Sequence, residues 1–136
     1  NRHSFSIAAP YLELLEEYTL REHLEFHIKF KPLLNKITVD NALALSGLQN
    51  SANKQIRAFS SGMKQRTRLL LAICSDTPVV LLDEPTSNLD SDSIKWYHEL
   101  VQEFHNNRLF IVCSNHFEKD YPFCTHQIDL ATDKIV

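Results

Sequence analysis

The chain has 136 residues, of which 43% are hydrophobic and 23% are charged, and its 14 Lys and Arg against 17 Asp and Glu give a formal net charge of −3. This composition is typical of one globular domain and excludes a disordered, collagen-like or coiled-coil chain. The mildly acidic balance gives no reason to expect a nucleic-acid partner. The longest apolar run, residues 69–74, is far shorter than the roughly 20 residues that a membrane-spanning helix needs.

The first half of the chain is predicted to form one short strand and two helices. In the first helix Thr19 and Glu22 make a capping box, and Pro32 stops the helix. In the second helix Thr38 is the cap and Gly47 is the C-terminal stop. The predicted extents are residues 4–8 for the strand, 39–46 for the second helix, and 11–59 for an insert in which no strand pattern occurs.

The second half is predicted to alternate helices with buried strands. Ser60 or Ser61 caps a helix, and Asp90 caps the next one. The unbroken apolar run 79–82 is typical of a central strand of a parallel sheet, buried on both faces. The other predicted extents are 91–105 for the helix that Asp90 caps, 109–113 for a second apolar strand, and 126–130 with 135–136 for a closing hairpin or a pair of edge strands.

Glycine is scarce, because the usual content of ~7% would give about nine or ten glycines in a chain of this length, whereas there are two, Gly47 and Gly62. A Walker A phosphate-binding loop needs two glycines five positions apart, followed by Lys and Ser or Thr. The two glycines here lie fifteen positions apart, and neither precedes such a pair. The chain therefore contains neither a Walker A loop nor a GxGxxG fingerprint. Since it also begins at Asn1 without a leader-like segment, we expect it to be a piece of a longer protein.

The cysteines are three in number, Cys74, Cys113 and Cys124. An odd number in an ordinary-sized core predicts reduced, buried thiols of a cytosolic protein rather than a disulfide framework. The spacings Cys113-x-x-His116 and Cys124-x-His126 offer a zinc site as the alternative interpretation.

Two adjacent carboxylates, Asp83 and Glu84, follow the apolar run 79–82. In open α/β sheets ligands bind at the carboxyl ends of the strands. Because adjacent side chains of an extended segment point to opposite sides, one carboxylate could hold Mg²⁺ while the other orients and deprotonates an attacking water. A structural or surface role for the pair is the alternative.

A second candidate site opens the helix that begins near Ser60. The segment 59–66 reads Phe-Ser-Ser-Gly-Met-Lys-Gln-Arg, with two hydroxyls and a glycine at the helix start. Free backbone amides, the helix dipole and the hydroxyls together form an anion site, and Gly62 lets a phosphate approach the backbone. The alternative is an ordinary serine-capped helix with a solvated basic face.

In this order the motifs resemble those of the nucleotide-binding domain of ATP-binding cassette (ABC) transporters, over essentially the whole chain. Residues 59–63 are similar to the family's Leu-Ser-Gly-Gly-Gln signature, and 79–84 to Walker B with its catalytic glutamate. Residues 87–90 resemble the D-loop, 114–116 the switch-histidine segment, and 19–24 the opening of the helical subdomain. The resemblance implies an α/β fold, namely a partial RecA-like P-loop NTPase core with a mostly parallel sheet and an all-helical ABC subdomain.

The resemblance also implies a division into three regions. Residues 1–10 are expected to be the end of a core strand and the Q-loop region, 11–74 the helical subdomain with the signature helix, and 75–136 the RecA-like core with Walker B, the D-loop and the switch histidine. The sequence departs from the family pattern because Walker A is absent and residues 8–10 lack the Q-loop glutamine. The signature retains Ser60 and Gly62 and differs at Phe59, Ser61 and Met63.

ATP and Mg²⁺ are the implied cofactors, and ATP hydrolysis coupled to transport is the implied activity. The implied partners are a second nucleotide-binding domain, arranged head to tail, and transmembrane permease subunits, with the protein peripheral on the cytoplasmic face of the membrane. The implied roles are general base for Glu84, γ-phosphate contact for His116, Mg²⁺ ligand directly or through water for Asp83, communication across the dimer for Asp90, and cover for the partner's nucleotide for Ser60, Ser61, Gly62 and Met63. Without Walker A, the chain by itself is expected to be inactive.

Two other functions remain open at this point. One is a non-catalytic ABC partner that donates only its signature half-site, a possibility that the missing Q-loop glutamine sustains. The other is a soluble ABC-type ATPase that acts on DNA or ribosomes. Such a protein is expected to carry basic or coiled-coil insertions, and the sequence shows none.

Overall fold

The structure, a computed structural model, describes residues 4–132 and 134–135. Four helices and five strands occur in these residues, together with short 3₁₀ turns. In chain order they are β1 (Phe5–Ala8), α1 (Leu20–Phe30), α2 (Val39–Ser46), α3 (Ser61–Cys74), β2 (Val79–Asp83), α4 (Ser91–Phe104), β3 (Leu109–Cys113), β4 (Ile128–Asp129) and β5 (Lys134–Ile135). Residues 11–59 contain helices and turns with no strand, as predicted, and only two isolated bridges involve this stretch.

Local capping fixes where the helices begin. The Thr19 hydroxyl accepts from the Glu22 N–H at 3.2 Å, and the Glu22 carboxylate accepts from the Thr19 N–H at 3.1 Å, so the predicted capping box of α1 is confirmed. Thr38 caps α2 in the same way. Ser60 accepts from the Met63 N–H at 3.2 Å, which shows that Ser60 rather than Ser61 caps α3.

Helix α2 ends at Gly47, whose φ of 68° lies in the left-handed region. A Cβ at this position would lie 2.6 Å from Nη2 of Arg66, a residue of α3. The Arg66 guanidinium donates to the Ser46 carbonyl from Nε at 3.0 Å and from Nη2 at 2.8 Å, and Nη1 donates to the Ser93 hydroxyl at 2.9 Å. It also lies 4.3 Å from the ring centre of Trp96. Gly47 is therefore needed both for its backbone conformation and for the arginine that joins α2, α3 and α4.

Substitution Gly47→Ala is expected to lower the free energy of unfolding by at least about 1–2 kcal/mol, the cost of placing a side chain in the left-handed region. The crowding of Arg66 adds to this cost. Urea unfolding of the full-length protein measures the change. In an Arg66→Ala background the crowding disappears, so the same substitution should cost less there. Equal costs in the two backgrounds would contradict the role assigned to Arg66.

Strands β1, β2 and β3 form a parallel sheet with β2 in the centre. In its register Ile7 pairs with Leu81, and Leu81 pairs with Ile111. Strands β4 and β5 form an antiparallel pair. This confirms the predicted pair of closing strands, although the first is shorter than predicted. Val136, which was predicted to end the second strand, lies outside the described residues.

The two faces of the parallel sheet differ in burial. On one face Val80 and Leu82 of β2 are buried, and α3 packs on this side. The opposite face carries exposed apolar side chains of the two outer strands, namely Phe5 (50% exposed), Ile7 (40%), Leu109 (57%) and Ile111 (46%). The prediction that residues 79–82 are buried on both faces is therefore wrong, since Val79 and Leu81 are only half-buried. An apolar strand is buried on both faces only where another element covers each of them.

The three cysteines are free thiols. Cys74 is buried in α3, and this burial raises the pKa of its thiol to about 12. Cys124 is partly buried, whereas Cys113 is exposed. The prediction of three buried thiols is wrong for Cys113, because this residue ends β3 on the uncovered face of the sheet.

Candidate functional site

The carboxyl ends of β2 and β3 bring the acidic residues and the histidine segment to one edge of the sheet. Asp83 is the last residue of β2 and pairs in register with Cys113, the last residue of β3. The Glu84 N–H then donates to the Cys113 carbonyl at 2.9 Å. Asn115 and His116 follow β3 within three residues. The two strand exits therefore lie side by side, as the sequence pattern requires.

A side-chain hydrogen bond joins these two exits. The Asn115 amide Nδ2 donates to Oε1 of Glu84 at 2.8 Å. Glu84 and His116 are both exposed, and both have a left-handed backbone, with φ of 44° and 59°. Such a conformation costs a residue other than glycine about 1–2 kcal/mol, and it is found preferentially at functional sites. An open cleft of about 260 Å³ at this point is lined by Glu84, Thr86, Ser87, Asn115, Phe117 and Asp120.

The start of α3 lies against the segment that resembles the D-loop. A Cβ at Gly62 would be only 3.0 Å from the carbonyl oxygen of Asn88. Asn88 itself has a left-handed backbone with φ of 63°. Ser60 and Ser61 are exposed, while Met63 packs against the hydrophobic core. The four signature residues therefore form one group beside the loop that leads into α4.

Asp90 is the N-cap of α4. Its carboxylate accepts from the Ser93 N–H at 2.8 Å. This hydrogen bond, together with the nearby positive charge of Arg66, lowers the pKa of Asp90 below its ordinary value. The residue that resembles the D-loop aspartate thus stays ionised and is held at the helix start.

Two buried residues that the sequence analysis missed connect these segments. Gln65 of α3 is 1% exposed, and its Nε2 donates to the Pro85 carbonyl at 3.0 Å. Asp120 is 3% exposed and accepts from the Thr86 N–H at 2.9 Å. Gln65 could have been singled out as a polar residue among the buried positions of an amphipathic helix. For Asp120 the sequence offers no local signal.

The acidic pair fits a magnesium ion better than the cysteine and histidine residues fit zinc. In the part of the chain that the structure describes, no group of three or more His, Cys, Asp and Glu side chains could hold a metal, which argues against the zinc alternative. Mg²⁺ usually binds one or two carboxylates and completes its shell with water and substrate phosphates. Asp83 and Glu84, at an open edge, have this donor chemistry.

A larger cavity lies elsewhere. Its volume is about 630 Å³, and its lining includes His105, Leu109 and Phe123. It therefore lies at the amino end of β3, opposite to the edge that carries Glu84. None of the residues predicted for the nucleotide site lines it, although Cys124 and His126 of the zinc alternative do. The candidate nucleotide site is therefore an open sheet edge rather than a deep pocket. No helix among the described residues has the length and apolar character needed to cross a membrane.

The order of strands, the acidic sheet edge and the capped signature helix are those of an ATP-binding cassette ATPase domain. The ABC transporter family profile matches residues 2–87, which is more than half of the chain, and the chain belongs to this family. The resemblance inferred from the motifs is thereby confirmed, and so is the α/β fold class, a partial RecA-like core with a helical subdomain.

The chain spans only part of the length of the relatives that it matches. The chain is 28% identical over 120 residues to the ABC transporter ATP-binding protein YybJ of Bacillus subtilis (strain 168), covering 88% of this chain and 55% of YybJ. It is 34% identical over 99 residues to the bacitracin transport ATP-binding protein BcrA of Bacillus licheniformis, covering 72% of this chain and 32% of BcrA. The fold matches a dimeric post-hydrolysis structure of the ATP-binding cassette MJ0796 bound to ADP and Pi, with a TM-score of 0.71, 19% identity, and coverage of 86% of this chain and 54% of that one.

Proposed function

We propose that the complete protein containing this chain is the ATP-binding and ATP-hydrolysing subunit of an ABC transporter. It drives transport through separate transmembrane permease subunits by ATP-dependent dimerisation on the cytoplasmic face of the membrane. The observation that carries the proposal is the hydrogen bond from Asn115 to Glu84, which holds a carboxylate at the sheet edge next to His116. Membership of the ABC transporter family supports the proposal.

In this proposal Glu84 is the general base. One carboxylate oxygen accepts from Asn115, so the group is oriented while the second oxygen remains available to take a proton from the attacking water. Asp83 would hold Mg²⁺ directly or through water, and the bound ion would supply neutralisation of the phosphate charge. The imidazole of His116 contacts the γ-phosphate and stabilises the charge that develops there.

The signature half-site acts on the nucleotide of the partner domain. Ser60, Ser61, Gly62 and Met63 open the 14-residue helix α3, whose free amides and dipole favour an anion. Asp90 communicates between the two domains. The dimeric state of the MJ0796 structure supports a pair of such domains, which we propose to be arranged head to tail.

Substitution Gly62→Ala is expected to lower kcat for ATP by about tenfold or more, since small misplacements of substrate-positioning groups are costly. The new Cβ would press on the Asn88 carbonyl at 3.0 Å and displace the loop. Steady-state kinetics and urea unfolding of the full-length protein measure the two effects. Gly47→Ala is the matched control with the opposite profile, a loss of stability with unchanged kcat of the folded protein. Wild-type kcat for Gly62→Ala would contradict the placement of Gly62 at the nucleotide.

The test of the proposed function is ATP turnover by the purified full-length protein. We expect Mg²⁺-dependent release of phosphate and ATP-dependent dimerisation, measured by light scattering. Dimerisation with no turnover in any assembly would favour the non-catalytic partner. Turnover that no permease subunit alters would favour a soluble ABC-type ATPase.

A further inference from the structure

A buried carboxylate lies beneath the two loops that carry Glu84 and His116. Asp120 is 3% exposed, and it is the only carboxylate among the buried side chains of residues 4–132 and 134–135. Its Oδ1 accepts from the Thr86 N–H at 2.9 Å and from the Thr86 hydroxyl at 2.5 Å. Its Oδ2 accepts from the Ser114 hydroxyl at 2.5 Å. One side chain thus contacts both loops.

The donors to Asp120 lie close in sequence to the two proposed catalytic residues. Thr86 follows Glu84 by two residues, and Ser114 precedes His116 by two. Ser114 is bonded within its own loop as well, because its hydroxyl oxygen accepts from the Phe117 N–H at 3.2 Å. The carboxylate therefore holds the Thr86 backbone and the Ser114 side chain, which belong to the two loops that the hydrogen bond between Asn115 and Glu84 also joins.

Asp120 is itself held in place by α4. Its carbonyl accepts from the Tyr97 hydroxyl at 2.6 Å. Tyr97 is fully buried, and burial raises the pKa of its phenol, so the group remains a donor. The neighbouring Lys119 carbonyl lies 2.6 Å from Nε2 of His98, another residue of α4. A buried carboxylate that accepts three hydrogen bonds from two loops is a directional contact.

The loop after β2 has a second, independent attachment. Gln65 donates to the Pro85 carbonyl from the side of α3. Removal of the Asp120 carboxylate therefore leaves the loop attached to α3, and to the end of β3 through the Glu84 N–H and the Cys113 carbonyl. It removes the contact that fixes Thr86 relative to Ser114. The expected consequence is a loss of alignment rather than a loss of folding.

We propose that Asp120 is a positioning residue of the ATPase site. It fixes the loop 84–87 against the loop 114–117, so that Asn115 holds the Glu84 carboxylate in the orientation needed for a general base. The inference rests on the proposed function, and Asp120 acts through Asn115 and Glu84 without contacting the nucleotide.

The first test is steady-state kinetics of the full-length protein carrying Asp120→Ala or Asp120→Asn. We expect Asp120→Ala to lower kcat for ATP about ten- to a hundredfold, with KM within about twofold, because ATP binding does not use this carboxylate. Asp120→Asn should recover most of kcat, since its oxygen can accept from Thr86 while its amide donates to the Ser114 hydroxyl. The exposed carboxylate variant Asp76→Ala is the control. A loss of kcat in Asp120→Ala that Asp120→Asn does not relieve would overturn the proposal.

A double-mutant cycle separates positioning from a general structural role. In an Asn115→Ala background Asp120→Ala should have little further effect on kcat, because the group through which it acts is already gone. Effects that multiply in full would contradict the proposal. If Asp120→Ala does not fold, Thr86→Val removes one of the three donors while it preserves the shape of the side chain, and a smaller loss of kcat is then expected.

A readout independent of turnover keeps the two proposals distinguishable. In NMR spectra of the full-length protein the Thr86 amide should be protected from hydrogen exchange. Asp120→Ala should remove this protection and shift the Asn115 side-chain amide resonances, and Asp120→Asn should restore both. If the wild-type protein does not hydrolyse ATP, the proposed function fails. Unchanged Thr86 and Asn115 signals in Asp120→Ala would overturn the role of Asp120 in either case.

Discussion

Substitution Glu84→Gln in the full-length protein should lower ATP turnover by about 10²–10⁴-fold, the range that a positioned general base contributes. The amide of glutamine retains an oxygen that can accept from Asn115, so the loop geometry persists. It cannot take a proton from water, however, and the ATP-bound dimer should therefore accumulate instead of being hydrolysed. Phosphate release and sedimentation velocity in the presence of ATP and Mg²⁺ measure the two effects together.

The control for Glu84→Gln is Glu99→Gln, the same chemical change at an exposed position of α4. This variant should retain wild-type turnover, and its ATP-bound dimer should dissociate after hydrolysis as in the wild-type protein. ATP hydrolysis by Glu84→Gln at the wild-type rate would contradict the assignment of Glu84 as the general base. A loss of ATP binding would instead indicate that the carboxylate contributes mainly to holding Mg²⁺.

Substitution His116→Ala has the second largest expected effect. Removing one preorganised group that stabilises transition-state charge typically costs about 10²–10³ in kcat, and we expect a loss of this size with little change in ATP affinity. Alanine at position 116 must adopt the same left-handed backbone, at φ of 59°, so the loss reports the imidazole rather than relief of strain. Single-turnover kinetics of the full-length protein measure the chemical step directly.

His105 provides the matched control, because it is exposed and follows α4 at the opposite edge of the sheet. His105→Ala should leave kcat unchanged. An unchanged kcat for His116→Ala would contradict the proposed γ-phosphate contact and would indicate that His116 is an ordinary surface histidine. Equal losses for both variants would indicate a general effect on the fold.

The elements of the fold were predictable wherever the cause is local. Each of the four helices begins at a capping side chain that accepts a hydrogen bond from the backbone N–H three residues further on. These caps are Thr19, Thr38, Ser60 and Asp90. Gly47 likewise ends its helix through its own backbone conformation. Such signals lie within one turn of chain and can be recognised in the sequence without knowledge of what packs nearby.

The features that sequence analysis missed depend on distant parts of the chain. Thr86 and Asp120 are 34 positions apart, and Gln65 and Pro85 are 20 apart, so no periodicity marks either contact. The burial of Val79 and Leu81 depends on whether another element covers their face of the sheet. An apolar run in the sequence does not indicate whether such an element is present. For the site, the sequence located the residues at the strand ends but not the buried carboxylate beneath them.

The uncovered sheet face has a practical consequence for work with the 136-residue chain by itself. Phe5, Ile7, Leu109 and Ile111 form one apolar surface, and β3 pairs on only one of its edges within the described residues. An open strand edge beside an apolar face is a template for pairing with other chains. We therefore expect concentrated preparations of the isolated chain to aggregate through this surface. A lack of activity in such preparations would reflect aggregation rather than the chemistry of the site.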